Sequence, residues 1–186
     1  MRRLSILASL FVLSLCACNN EDPAPLYLEA DYQLRCIDCK PTSPDETARS
    51  LNVLNGEAGY VVDCSAERSS GDRVVNFSAS FKDPLGKKDK FSVAVTQANI
   101  DAANPGASCR VEVVEGSNTY KGECTGGAPT KAKPCVINLK AEGGVLSGTI
   151  ECKTIPNASD AQIRRYLVAP GTKKAAKFSI DGCTGL

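Results

Sequence analysis

Cys109-Arg-Val-Glu-Val-Val-Glu-Gly-Ser-Asn-Thr-Tyr-Lys-Gly-Glu-Cys124 decides the fold class of this chain. Apolar and polar residues alternate along it with a period of two. That is the period of a strand, whose successive side chains face opposite ways. Gly116-Ser117 at its centre suits a two-residue type II′ turn, since glycine readily takes the positive φ of the first central position. Folding about that turn pairs Glu115 with Asn118, Val113 with Tyr120, Val111 with Gly122 and Cys109 with Cys124. The apolar set then lies on one face, and Arg110, Glu112, Lys121 and Glu123 lie on the other. A slip of one residue would turn the whole apolar set to water, so the register is well specified.

A second hairpin follows, from Cys135 to Cys152, with Gly143-Gly144 as its turn. It pairs Ala141 with Leu146, Leu139 with Gly148, Ile137 with Ile150 and Cys135 with Cys152. The two hairpins read as a degenerate internal duplication. Elsewhere Tyr60, Val62 and Cys64 alternate, as do Val75, Phe77, Ala79 and Phe81. Phe91, Val93 and Val95 repeat the pattern after a Pro-Leu-Gly-Lys-Lys turn, and Ala176, Phe178 and Ile180 close it. Helix signals are weak. Ser43 to Arg49 and Asn157 to Arg165 place a polar cap before helix formers, and short turns are expected there. The pattern predicts an all-β protein, an antiparallel β-sandwich of roughly nine short strands braced by disulfides. A sandwich is favoured over a barrel because one face per strand is apolar and large aromatics are few: five Phe, five Tyr and no Trp.

The N-terminus carries an address. Arg2 and Arg3 precede an apolar run from Leu4 to Leu15. Such a run is too short to span a bilayer, which needs about 20 apolar residues, and reads as a secretory signal. Leu15-Cys16-Ala17-Cys18 resembles a bacterial lipobox. The resemblance implies cleavage before Cys18 and acyl chains on that cysteine, palmitate among them. Leu15 is too bulky to precede a cut before Cys16. Cysteine parity agrees: of ten cysteines, cleavage removes Cys16 and lipidation uses Cys18, which leaves eight to pair. An ordinary signal peptide cut after Cys18 would also leave eight. The expected organisation is a signal peptide over 1–17, a lipidated tether over 18–26 and a single β-sandwich domain over 27–186. Two prolines keep the tether extended. By resemblance to well-studied envelope systems, Asn19 permits transport to the outer membrane.

The eight remaining cysteines are Cys36, Cys39, Cys64, Cys109, Cys124, Cys135, Cys152 and Cys183. An oxidising compartment is the setting in which so many pair. Opposed cysteines in a hairpin have Cα atoms about 4.5–5.5 Å apart, within disulfide reach. Cys109–Cys124 and Cys135–Cys152 are therefore possible, as is a loop-closing Cys124–Cys135. Eight cysteines allow roughly a hundred connectivities, and the sequence does not choose among them. Cys36-Ile-Asp-Cys39 has redox-motif spacing, yet Lys40-Pro41-Thr-Ser-Pro44 blocks the helix that would lower a thiol pKa. Two structural cysteines with different partners is the expected reading. No second pair at metal spacing supports zinc.

Chemistry-bearing motifs are scarce. The chain has no histidine, which excludes Ser-His-Asp and Cys-His catalysis. Acidic residues are scattered on outward strand positions or in turns, Asp45-Glu46 in a proline-rich loop among them. No phosphate loop or calcium loop occurs. No enzyme activity, cofactor or metal is expected. Without Arg2 and Arg3 the charge falls from +1 to −1, so no basic field exists to attract nucleic acid. The clusters Lys87-Lys88-Asp89-Lys90 and Lys173-Lys174 read as solvated loops. Asn76-Phe-Ser and Asn157-Ala-Ser match glycosylation sequons of little weight.

The chain is similar to the small cysteine-rich outer-membrane lipoproteins of myxobacteria. The residues that carry the likeness are Leu15 to Cys18, Tyr120-Lys-Gly-Glu-Cys124, Pro134-Cys135, Leu146-Ser-Gly-Thr-Ile-Glu-Cys152 and Phe178-Ser-Ile-Asp-Gly-Cys183. It covers the C-terminal half well and the N-terminal half loosely. The resemblance implies a lipid-anchored, non-enzymatic protein of the outer membrane that acts through an envelope protein partner or at the cell surface. A role as accessory subunit of a gliding-motility or adhesion complex is the first alternative, and a glycan- or ligand-binding module the second. The lack of tryptophan weighs against the latter, since sugar sites favour aromatic platforms.

Overall fold

The computed structural model describes residues 25–36, 48–81, 89–102, 108–124 and 128–186. The expected signal peptide and most of the tether, with Cys18, lie outside these residues, as do Cys39, Asp45-Glu46 and most of the first helix candidate. Eleven strands are present among the described residues, where about nine are expected: β1 Tyr27–Cys36, β2 Arg49–Leu54, β3 Tyr60–Ser69, β4 Asp72–Phe81, β5 Asp89–Asn99, β6 Ser108–Glu115, β7 Asn118–Glu123, β8 Cys135–Glu142, β9 Val145–Pro156, β10 Arg164–Val168 and β11 Ala176–Asp181. All the strand pairs are antiparallel and fall into two sheets. One runs β3-β4-β5-β6-β7. The other places β1 between β2 and a row shared by β10 and β11, followed by β9 and then β8.

β10 and β11 are one strand interrupted. Both run antiparallel to β1 on one side and to β9 on the other. Gln33 of β1 faces Val168, and Asp31, two residues back, faces Lys177. The intervening residues 169–175 are therefore an excursion from an otherwise continuous ladder. The chain leaves the sheet after Val168 and resumes its place at Ala176.

Alternation decides what is inside. Leu28, Ala30, Tyr32 and Leu34 of β1 are buried, as are Val75, Phe77 and Ala79 of β4 and Phe91, Val93 and Val95 of β5. Tyr32 stacks on Phe91 with ring centroids 4.8 Å apart, and Phe77 meets Phe178 at 5.4 Å, so both aromatic pairs join the two sheets. Such pairs add about 0.5–1.5 kcal/mol beyond the area they bury. Gly148 sits opposite Phe178 in the ladder, and its missing Cβ leaves room for that ring.

The sheets are also joined along their margins, which protects strand edges from pairing with other chains. At one margin Asn157 bridges to Tyr120, the Ala158 N–H donates to the Thr119 carbonyl at 2.7 Å, and Asn157 Nδ2 donates to Asn118 Oδ1 at 2.7 Å. At the other, the C-terminal tail pairs with β3: Thr184 bridges to Ser65, and the Ala66 N–H donates to the Thr184 carbonyl at 2.7 Å.

A β-bulge marks the β4–β5 pair. Phe77 faces Val95 while Val75 faces Ala98, so β5 carries one extra residue. Gln97 takes φ 55°, and its N–H donates to Asn76 Oδ1 at 2.9 Å. Beyond the bulge, Arg73 grips Asp101. Arg73 Nη2 donates to Asp101 Oδ1 at 2.6 Å, and the Arg73 backbone N–H donates to Oδ2 at 2.8 Å. These bonds hold the Asp101 carboxyl at a pKa of about 2, below the ordinary 3.8. A depressed folded-state pKa contributes stability that is complete above the ordinary value and fades as pH falls through about 2. Two-dimensional NMR of the carboxyl carbon should place the Asp101 midpoint near 2. An Arg73→Gln substitution should return it toward 3.8.

Candidate functional site

Every cysteine among the described residues is disulfide-bonded. Cys64 of β3 joins Cys183, just after β11, with Cα atoms 4.9 Å apart, and so ties one sheet to the other. Cys109–Cys124 spans the open end of the β6–β7 hairpin at 4.8 Å, and Cys135–Cys152 that of the β8–β9 hairpin at 4.0 Å. Cys124 and Cys135 are backbone neighbours in a parallel bridge, but each bonds within its own hairpin. Cys36 ends β1, and its sulfur accepts from Arg165 Nη1 at 3.2 Å; the other half of its disulfide lies outside the described residues. These sulfurs hold the fold and leave no thiolate for chemistry.

The sequons are structural. Asn76 caps the β5 bulge through its amide oxygen. Asn157 is 3% exposed and bonds Asn118 and the Ser159 N–H. No group of three or more His, Cys, Asp or Glu side chains among the described residues is placed to hold a metal. No helix among them is long and apolar enough to cross a membrane. The second helix candidate forms only a bridge, bends and a short turn that lead into β10, as its weak signal predicts.

A groove that contains an aromatic side chain lies on the outer face of the β1–β10–β9 sheet, with a volume of about 460 Å³. Arg35, Tyr166, Val168, Glu151, Lys153 and Lys173 line it. Arg35 of β1 faces Tyr166 of β10 directly in the ladder. Glu151 and Lys153 come from β9, and Lys173 from the 169–175 excursion. Tyr166 is 37% exposed, high for so large a ring.

The excursion is pinned over β1. The Gly171 N–H donates to Gln33 Oε1 at 3.1 Å, and Arg35 Nη1 donates to the Thr172 carbonyl at 3.3 Å. Within the loop the Ala169 N–H donates to the Lys174 carbonyl at 2.8 Å, and the Lys174 N–H to Thr172 Oγ1 at 3.1 Å. Lys173 therefore stands on a loop closed by its own hydrogen bonds, at the side of the groove. Among the described residues, no carboxylate lies within salt-bridge distance of Arg35, Lys153 or Lys173. Some cations elsewhere are matched: Lys121 meets Glu112 at 3.0 Å, and Lys140 meets Glu142.

Sequence reasoning did not find this groove, because its residues come from four separate segments. Lys173-Lys174 reads in the sequence as a solvated loop and Arg164-Arg165 as the end of a segment expected to form short turns, while Tyr166 carries no signal there. Only the β1–β10 and β10–β9 registers bring them together.

The chain matches no family model, no curated protein and no solved structure.

Proposed function

We propose that this chain is a lipid-anchored protein of the bacterial cell envelope that acts by binding rather than by catalysis. The observation that carries this reading is that all described cysteines are oxidised, in a chain whose N-terminal run and Leu15-Cys16-Ala17-Cys18 motif have the form of an export and lipidation signal. Disulfides on this scale belong to compartments outside the cytosol. Two or more acyl chains on Cys18 would hold the protein firmly at a membrane, at about 0.8 kcal/mol per buried methylene. Asn19 and the likeness to myxobacterial lipoproteins favour the outer membrane. Service to an envelope protein partner, in an adhesion or gliding-motility complex, rests on that likeness alone.

Fractionation tests the anchor. The wild-type chain should sediment with membranes, and its N-terminal peptide should carry acyl mass on Cys18. Cys18→Ser should move the chain to the soluble fraction. A Cys18→Ser protein that stays with membranes, or an unacylated wild-type N-terminus, sinks the assignment.

A second reading, a ligand-binding module, is favoured by the Tyr166 groove. Its unmatched cations and exposed ring supply an aromatic platform without tryptophan.

A further inference from the structure

We infer that the groove around Tyr166 binds an anionic saccharide, a carboxylated sugar chain whose carboxylates meet Arg35, Lys153 and Lys173 while a sugar ring rests against Tyr166 and Val168. The inference rests on the ligand-binding reading above and names the ligand class.

Charge is the first argument. Three cations and one acid, Glu151, line the groove. The chain as a whole is nearly neutral, at +1, so this concentration is local. Some cations elsewhere are held in ion pairs, as at Glu112–Lys121. Here none of the three cations is within salt-bridge distance of a described carboxylate, Glu151 on the same groove included, so an incoming anion breaks no ion pair with the described residues. Arg35 adds geometry, because a planar guanidinium can grip a carboxylate through two parallel N–H bonds.

Backbone economy is the second argument. An uninterrupted strand would satisfy the sheet between β1 and β9, and the ladder resumes as though nothing had intervened. The seven residues 169–175 thus contribute nothing to sheet pairing; their effect is to raise a hydrogen-bonded wall carrying Lys173 beside Tyr166. Loops built on a rigid sheet are where binding groups are commonly placed.

The occupant's shape follows from where the groove lies. β10 is paired on both sides, with β1 and with β9. No free strand edge borders the Tyr166 position, so an acidic peptide cannot add to the sheet as a strand. What the surface offers is the exposed Tyr166 ring flanked by cations, with the largely buried Val168 beside it, within the volume range of small-ligand sites. The apolar C–H face of a sugar ring, with a carboxylate at its rim, fits that arrangement.

Calorimetry on the full-length chain in detergent micelles tests this, with tetragalacturonate as probe and the neutral galactose tetramer and tetraglutamate as comparators. Tetragalacturonate should bind saturably, and each comparator at least about tenfold more weakly, the equivalent of one charge-assisted hydrogen bond. Lys153→Gln with Lys173→Gln should weaken tetragalacturonate by about tenfold or more. Tyr166→Ala should weaken it while Tyr166→Phe retains it. Unchanged thermal melting of these surface variants would show that the fold is intact. Tetraglutamate binding as tightly as the uronate, and indifferent to Tyr166→Ala, overturns the saccharide assignment while the ligand-binding reading stands. Binding untouched by all the substitutions removes the ligand from this groove. No binding of either anion removes both the saccharide and the ligand-binding reading.

Discussion

Replacing Cys64 and Cys183 together by alanine should lower the unfolding free energy by about 4–5 kcal/mol, the largest loss from any single cross-link in the described chain. The two residues are 119 apart in sequence and 4.9 Å apart at Cα. A cross-link acts mainly by restricting the unfolded chain, and the restriction grows with the loop it closes. The hairpin bridges close far shorter loops, with separations of 15 and 17. For these the same reasoning gives about 3 kcal/mol each. A second effect adds to the first. Cys183 holds the tail that covers β3, and Thr184 and Gly185 lie against Ala66 only while that tail is fixed. Guanidinium unfolding of the oxidised proteins, followed by circular dichroism, should show the Cys64/Cys183 variant with the lowest midpoint. Cys109→Ala with Cys124→Ala should lie between it and wild type. A reversed order would mean that native packing around the sulfurs, rather than chain entropy, sets their worth.

How far the fold could be read in advance depended on the locality of the information. Both hairpins form in the register their alternation dictates, Val113 facing Tyr120 and Ile137 facing Ile150. The first turn takes the expected form, with positive φ at Gly116 alone, and the second sits at the expected Gly143-Gly144, where both residues have positive φ. In these segments the strand, the turn and the partner lie within about twenty residues, and one apolar face fixes all three. β2 and β10 were not legible. β2 offers only Leu51 and Val53 to the interior side, with Leu54 exposed beyond them. β10 opens with Arg164-Arg165, and the inward position at Arg165 is filled by a guanidinium lying 5.7 Å from the Tyr120 ring rather than by an apolar side chain. A charged residue at an inward site breaks the period-two signal, although the site is at the end of the sandwich where such a group is tolerated. Cys64–Cys183 was equally closed to sequence reasoning, because it depends on how two sheets face each other. The Tyr166 groove shares that limit, since its walls exist only once β1, β9 and β10 are side by side.

Gly122→Ala should destabilise the protein by about 3 kcal/mol, the upper end for overpacking a buried site, and Gly122→Val by more. Gly122 lies on β7 opposite Val111, facing inward at the seam between the sheets. A Cβ there would come 2.5 Å from Cys135 Sγ and 2.6 Å from Ile155 Cγ2. Neither neighbour can easily withdraw. Cys135 is fixed by its bond to Cys152, and Ile155 is fully buried. The backbone of β7 would have to move outward, against the bridge from Tyr120 to Asn157 that fastens this margin. Gly116→Ala supplies the contrast: that turn glycine has φ 58° but open space around it, so its cost is conformational only, about 1 kcal/mol. A double-mutant cycle separates crowding from general loss of packing. Ile155→Ala alone should cost about 2–5 kcal/mol through the cavity it leaves. Combined with Gly122→Ala it should cost clearly less than the sum, because the new methyl occupies the vacated space. Strict additivity in unfolding free energy would place the strain elsewhere in β7 and would remove Gly122 as the point at which the two disulfide-tipped hairpins are fitted together.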